Sequence, residues 1–97
     1  MNFSQYKNQI DTWSKLANAK KITLSNNKEL PITYWKSFLG LTRKQHQDMY
    51  RGTFKNKTGL VPKYVEQAIR FAILLPEDIF IEQVKIHIPI FEADKIS

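Results

Sequence analysis

Residues 31–52 read PITYWKSFLGLTRKQHQDMYRG and contain signals for the start and end of two consecutive helices. Pro31 suits the first turn of a helix, because its missing N–H would have no intrahelical partner there. Gly40 can adopt the left-handed conformation that ends a helix. Thr42 and Gln45 have the spacing of a capping box, which predicts that the next helix begins at Thr42. We therefore predict two helices joined by a tight junction.

Amphipathic helices are predicted on both sides of this stretch. In the first segment, apolar residues recur at steps of three and four, which is typical of one helical stripe: Phe3, Tyr6, Ile10, Trp13 and Ala17. Pro62 opens the later segment and Pro76 closes it. Its buried stripe is predicted at Val65, Ala68, Ile69, Ala72 and Ile73.

Two segments favour strands. Ile22 and Leu24 flank a polar residue ahead of the turn sequence SNNKE. In VKIHIPIF, residues 84–91, every second residue is Val or Ile, which indicates a strand with one buried face. Pro89 cannot donate to a ladder and places this strand at an edge. The competing prediction is one continuous helix from residue 76 to residue 90.

Positive charge is concentrated in the middle of the chain. The net charge is +6, and residues 36–63 hold seven Lys or Arg residues against Asp48 alone. Residues 1–35 add a smaller positive surplus, and residues 76–97 are net negative. Concentrated positive charge attracts nucleic acid, anionic membrane surfaces or acidic proteins. The alternative is a solvated face that keeps the protein soluble.

Residue types that support catalysis are scarce. There is no cysteine and there are three glycines, so disulfides, Cys-based zinc sites and Gly-rich phosphate loops have no basis in the sequence. His46 and His87 match no metal-ligand spacing and are predicted to be surface residues. Glu77, Asp78 and Glu82 cluster where they would compensate a helix dipole. We expect no enzymatic activity, no catalytic or metal-binding residue and no cofactor.

The expected location is the cytoplasm. The first residues, MNFSQYKNQI, lack the apolar core of a secretory signal. No apolar run is long enough to span a bilayer. The absence of cysteine fits a reducing compartment. These features predict a soluble protein.

The basic segment has the composition of a nucleic-acid-binding surface. Arg can contact guanine bidentately and Gln can contact adenine, whereas Lys contacts phosphate as a point charge. Base edges are predicted to be approached by Arg43, Gln45, Gln47 and Arg51. Phosphates are predicted to be held by Lys36, Lys44, Lys55, Lys57 and Lys63. Asn56 belongs to the same basic loop. Tyr50 and Phe54 either stack on bases or anchor the segment to the core.

Residues 30–49 resemble the opening of small repressors of the Cro/XRE helix-turn-helix type, with the sequence LPITYWKSFLGLTRKQHQDM. GLVPKYVEQAIRFAIL is similar to the helix that follows their recognition helix. The resemblance covers about residues 30–75 and implies a compact helix-turn-helix-like domain in which Arg43, Lys44 and Gln47 contact DNA. QHQDMYRGTFKNKTG is several residues too short for both a second helix and a separate recognition helix. Either the polar helix with its basic loop reads DNA, or DNA reading has been lost.

The expected fold is mainly α: a single domain, residues 1–97, with about four helices and a short strand pair that involves the C-terminal tail.

The expected function is duplex-DNA binding by a transcriptional regulator, through residues 41–63. The alternative is a protein-interaction module or inhibitor, for example phage- or plasmid-borne, that docks on a larger macromolecular machine. Membrane binding is less favoured, because no helix combines a basic face with a strongly apolar one.

An unpaired apolar strand edge invites association with another chain. The sequence therefore predicts a homodimer through the tail strand, with an interface at Val84, Ile86, Ile88 and Ile90. In the alternative, the tail folds back over the fourth helix of the same chain.

Overall fold

A computed structural model describes the backbone of residues 1–96 and the side chains of residues 1–94. In this part the chain forms five helices, which are α1 (Phe3–Ala19), α2 (Tyr34–Leu39), α3 (Arg43–Arg51), α4 (Lys63–Leu74) and α5 (Glu77–Ile96). The prediction of a mainly helical fold is confirmed. α1 packs on α3, and α2 packs on α3, α4 and α5. The short α2 therefore lies at the centre of the packing.

α1 begins with a reciprocal cap. The Asn2 Oδ1 accepts a hydrogen bond from the Gln5 N–H, and the Gln5 Oε1 accepts one from the Asn2 N–H, both at 2.8 Å. These bonds satisfy N–H groups that the first helical turn leaves without intrahelical partners. Phe3 is half-buried. The rest of the predicted stripe is buried: Tyr6, Ile10, Trp13 and Ala17.

The junction between α2 and α3 has the predicted geometry. Gly40 has a φ of +73°, in the left-handed region that residues with a Cβ rarely adopt. The Leu41 N–H then donates to the Lys36 carbonyl oxygen at 2.7 Å. The Thr42 Oγ1 accepts from the Gln45 N–H, and the Gln45 Oε1 accepts from the Thr42 N–H, both at 3.1 Å. This capping box starts α3 at the position that the sequence predicts.

α4 also begins and ends close to the predicted positions. Its buried residues are Val65, Ile69 and Ala72. Ala68 is half-buried, and Ile73 is 54% exposed. The inward stripe of α4 is therefore narrower than predicted, and part of its apolar surface faces solvent.

The predicted strand pair is not formed by the described residues. The tail segment, residues 84–91, lies inside α5, so the competing prediction of one helix after Pro76 is confirmed. Pro89 lies within this helix without ending it. Near Ile22 the chain makes a turn with one isolated antiparallel bridge, between Thr23 and Glu29.

Contacts with α2 explain why the tail is helical. Val84 is fully buried, and its carbonyl oxygen accepts a hydrogen bond from the Tyr34 hydroxyl at 2.5 Å. The rings of Phe80 and Phe91 pack on Trp35 and Tyr34, with centroids 6.4 and 5.8 Å apart respectively. Positions 80, 84 and 91 share one face of a helix, but 91 would lie on the opposite face of a strand. Burying all three outweighs the β preference of the Val and Ile side chains.

Candidate nucleic-acid interface

The inner side of α3 is anchored to α1. His46 and Met49 are each only 1% exposed. The hydroxyl of the half-buried Tyr50 donates to the Asp11 Oδ1 at 2.7 Å. The Lys7 Nζ lies 5.0 Å from the centroid of the Tyr50 ring. Of the two roles considered for Tyr50, the structure shows the anchoring one, and the opposite side of α3 is held towards solvent.

His46 is buried, so its prediction as a surface residue is wrong. Its Nδ1 lies 2.8 Å from the Tyr6 hydroxyl oxygen, and its Nε2 is buried without a well-formed hydrogen bond to any described residue. Burial is the main cause that lowers the pKa of His46 to about 4. The backbone of Ile32, next to the ring, raises this pKa in part. Burial also raises the pKa of the Tyr6 phenol. Tyr6 and His46 are therefore both uncharged, and they share one buried hydrogen bond whose donor is set by the tautomer of the imidazole.

Four of the predicted contact residues share the solvent side of α3. Arg43, Gln47 and Arg51 follow one another at four-residue steps, which places them in one line along the helix. Lys44 lies beside this line, and its Nζ is 3.2 Å from the Asp48 Oδ2. Gln47 is half-buried, and the three cations are exposed. This side of α3 (residues 43, 44, 47 and 51) is called the α3 face below.

Gln45 lies on another side of α3 and is engaged within the fold. Its Oε1 accepts from the Thr42 N–H in the capping box. Its Nε2 donates to the hydroxyl oxygen of Tyr64, on α4, at 2.9 Å. A base contact from Gln45 would have to break this link between α3 and α4. The structure therefore does not place Gln45 on the α3 face.

Lys36 belongs to the contact between α2 and α5. Its side chain is only 16% exposed, and its Nζ lies 3.9 Å from the Asp94 Oδ2. The same Nζ is 5.7 Å from the centroid of the Phe91 ring. The stem and the charge of Lys36 are therefore both used in holding α5.

The loop between α3 and α4 is shaped by its own side chains. The Asn56 Nδ2 donates to the Leu60 carbonyl oxygen at 2.7 Å, and the Asn56 Oδ1 accepts from the Gly59 N–H at 2.8 Å. The Phe54 ring meets the Phe3 ring edge-on, with centroids 6.1 Å apart. Phe54 thus anchors the loop to α1, and Asn56 closes it on itself.

Three cations follow the α3 face along the chain. Lys55 and Lys57 are exposed on the loop, and Lys63 is exposed at the start of α4. From residue 49 to residue 63 the sequence contains no acidic residue. The loop therefore extends the positive charge of α3 without a neutralising partner from its own stretch of chain.

A pocket of about 250 Å³ lies beside the α3 face. Gln47 and Arg51 contribute to it from α3, and Thr33 contributes from the residue before α2. Ile32, His46 and Tyr50 complete its lining. A planar polar group could lie here within reach of an amide and a guanidinium.

The residues predicted to form the dimer strand are divided between two sides of α5. Val84 is fully buried, and Ile88 is half-buried against the core. Ile86 and Ile90 are 51% and 49% exposed. An α-helix separates positions 84 and 88 from positions 86 and 90 in this way. The strand on which that interface rested does not exist in the described chain.

His87, Glu77 and Asp78 all lie on α5, where they have structural roles. His87 is half-buried rather than on the surface, with its Nδ1 2.8 Å from the Gln83 carbonyl oxygen and its ring 5.4 Å from that of Phe38. Glu77 and Asp78 lie in the first turn of α5, where negative charge is favoured by the helix dipole.

Among the side chains of residues 1–94, no group of three His, Asp or Glu residues could hold a metal ion. Within residues 1–96, every helix is too short or too polar to span a membrane.

No protein-family model, curated protein or solved structure matches the chain. What the α3 face can bind therefore has to be judged from its own geometry and charge.

Proposed function

We propose that the protein is a small cytoplasmic nucleic-acid-binding regulator that binds duplex DNA through the α3 face and the loop after it. One observation carries this proposal: exposed Arg43 and Arg51, with half-buried Gln47 between them, form one line along a helix whose neighbouring side is fixed in the core by His46 and Met49. A helix presented in this way fits the major groove of B-DNA, which is about 12 Å wide. Buried His46 and Met49 keep the helix from rolling and so fix the direction of the three side chains.

The side chains divide naturally between base and phosphate contacts. Arg43 and Arg51 can each donate two parallel hydrogen bonds to guanine, and Gln47 can pair with adenine. Phosphate contacts, which position the protein without reading sequence, would come from Lys44, Lys55, Lys57 and Lys63. Gln45 and Lys36 contribute indirectly in this proposal, by holding α3 to α4 and α2 to α5.

The order of elements supports a helix-turn-helix arrangement. α2 and α3 are separated by Gly40, Leu41 and Thr42, and helix-turn-helix readers join their two helices by a turn of this length, often with a glycine. In them the second helix enters the major groove. The chain between α3 and α4 is a loop, with no further helix. Of the two alternatives open from the sequence, we therefore propose that α3 itself, with the loop, reads DNA.

The test is a fluorescence-anisotropy titration against random duplex DNA at two salt concentrations, about 50 and 200 mM. The parent protein should lose affinity steeply at the higher salt, because each phosphate contact releases counterions. Arg43, Lys55 and Lys57 are replaced together by Ala. Affinity should fall, and the slope of log K against log salt should shrink by about 0.9 for each phosphate that the variant no longer neutralises.

A matched control removes the same charge elsewhere. Lys15, Lys28 and Lys85 are also exposed, and their combined replacement by Ala changes the net charge equally. This control should keep most of the affinity and the parental salt slope. An equal fall in affinity in the two triple variants would mean that only net charge attracts DNA, and no binding by the parent would end the proposal.

The alternative of a protein-interaction module requires an exposed apolar surface for its partner. The aromatic first helix cannot supply its contact, because Tyr6 and Trp13 are buried in the core. Large exposed apolar side chains occur instead on α4, with Phe71 and Leu74 at 68% and 78% exposure, and on α5, with Ile86 at 51%. In this alternative a protein partner would bind on α4 and α5 rather than on α1.

A further inference from the structure

α4 carries a second apolar stripe in addition to the one that faces the core. Tyr64, Ala68 and Phe71 are spaced by four and three residues, which places them along one side of the helix, and Leu75 follows directly after the end of α4. Tyr64 is 57% exposed, Phe71 68% and Leu75 37%. The neighbouring side of α4, with Val65, Ile69 and Ala72, packs in the core. This outer stripe therefore has no covering element in the described chain.

α5 carries a matching stripe. Ile79, Gln83, Ile86 and Ile90 are spaced by four, three and four residues. The three isoleucines are 38%, 51% and 49% exposed. Ile86 and Ile90, two of the residues assigned to a dimer strand, thus come together on the outside of a helix.

The two stripes border one groove. α4 and α5 are joined by only Leu75 and Pro76, and both pack on α2. Between them lies a groove of about 300 Å³. Its lining comes from both stripes and from the floor between them: Phe38, Ala68, Phe71, Ala72, Leu75, Ile79, Gln83 and His87. A groove of this form suits an amphipathic helix.

The charges outside the stripes have opposite signs on the two helices. On α4, helical spacing places Lys63 and Arg70 on the side away from the groove, and both are exposed. Glu66 lies on the same side, 3.6 Å from the Arg70 guanidinium, so one positive charge remains in surplus. On α5, exposed Asp78, Glu82 and Lys85 occupy the corresponding outer side, which therefore keeps a net negative charge. A partner of one charge sign would be attracted by one rim and repelled by the other. A second copy of the chain offers both signs, which is the self-complementarity that a two-fold interface requires.

We infer that two copies of the protein associate through this groove. With a two-fold axis along the groove, α4 of one copy lies over α5 of the other. The apolar stripes then cover one another, and the Arg70 rim of each copy faces the acidic rim of its partner. The inference is independent of DNA binding, because it uses no residue of the α3 face.

The primary test is Phe71→Glu, followed by light scattering and sedimentation at micromolar concentrations. Phe71 is mostly exposed, so the helical circular dichroism should stay parental while dimer affinity falls by at least about tenfold, or 1.4 kcal/mol. Ile73→Glu is the control, since Ile73 is similarly exposed but lies on the side of α4 that faces α1. It should leave the dimer intact. A monomeric parent, or equal effects of the two variants, overturns the inference.

A charge exchange tests the relative orientation of the two copies. Arg70→Glu, which also removes the ion pair with Glu66 on its own helix, and Glu82→Arg should each weaken self-association, because like charges then face one another across the axis. An equimolar mixture of the two variants should form heterodimers, in which both rims again meet opposite charge. Failure of the mixture to associate better than either variant alone would overturn this orientation.

Discussion

The hydroxyl of Tyr6 lies 2.8 Å from Nδ1 of His46, and this contact joins α1 to α3 inside the core. Both groups are uncharged and share one hydrogen bond. Protonation of the ring would place a positive charge in a buried site and would make both ring nitrogens donors. The orientation of the α3 face therefore depends on an imidazole that must stay uncharged.

Stability should fall with acidification because of His46. Its pKa is about 4 in the folded protein and about 6.5 in an unfolded chain. Between these values the unfolded state binds more protons, so stability is fully present above pH 6.5 and is lost as the pH falls towards 4. The loss from this residue is of the order of 3 kcal/mol. Urea denaturation from pH 7 to pH 4 measures it.

His46→Gln provides the comparison, because glutamine does not titrate. The variant should be less stable at pH 7, and its stability should depend less on pH between 6.5 and 4. The carboxyl groups of Asp11 and Glu66, whose pKa values are also lowered in the fold, remain in both proteins. An unchanged pH dependence would contradict the role given to His46.

Removing the Tyr6 hydroxyl should be costly. Tyr6→Phe leaves the Nδ1 of His46 buried without its hydrogen-bond partner, which is expected to destabilise the protein by roughly 1–3 kcal/mol. Tyr50→Phe removes the bond to Asp11, whose carboxylate is partly accessible to water, and should cost less. Thermal and urea denaturation rank the two. A larger effect at Tyr50 would mean that the Tyr6–His46 bond is not the stronger link between α1 and α3.

The capping box should hold the first turn of α3. Thr42→Ala removes the Oγ1 that accepts from the Gln45 N–H, at an expected cost of about 1 kcal/mol. Thr42→Ser keeps the acceptor and should stay close to the parent. Urea denaturation compares the two variants, and amide exchange of residues 43–46 reports whether the first turn frays. Equal stability of the Ala and Ser variants would exclude a capping role.

Gly52 ends α3 with a φ of +76°. An added Cβ would meet no atom within 4 Å, so Gly52→Ala should be limited to the backbone cost of the left-handed conformation, about 1–2 kcal/mol. Gly52→Asn should cost less, because asparagine adopts this conformation more readily. If both are as stable as the parent in urea, α3 can end without a left-handed residue.

The sequence predicts the local features of this fold well. The starts and ends of α3 and α4 follow from Thr42, Gly52, Pro62 and Pro76, whose backbone preferences act over a few residues. The tail was ambiguous because Val and Ile occupy nearly every side of it, so a two-residue period and a helical period both fit. Phe80, which packs on α2, favours the helix, and that contact is not visible in the sequence.

The candidate interface shows the same division. Exposure of Arg43 and Arg51 follows from helical spacing alone. The engagement of Lys36 with α5 and of Gln45 with Tyr64 depends on which helices meet, which no local pattern contains. Burial of His46 was missed because a histidine in a polar helix is usually exposed. The available signal was its spacing of three residues from Met49, the inward position of α3.

Pro89 lies inside a helix in the folded protein, and it also affects how the unfolded chain can aggregate. Residues 84–90 have Val or Ile at every second position, a pattern that stacks into cross-β fibrils when no proline interrupts it. The folded protein prevents this stacking by holding the segment in α5, with Val84 packed on α2. A proline weakens a helix, yet it also blocks fibril ladders and acts as a gatekeeper. Replacing it should therefore make the native helix stronger and the denatured chain more prone to aggregation.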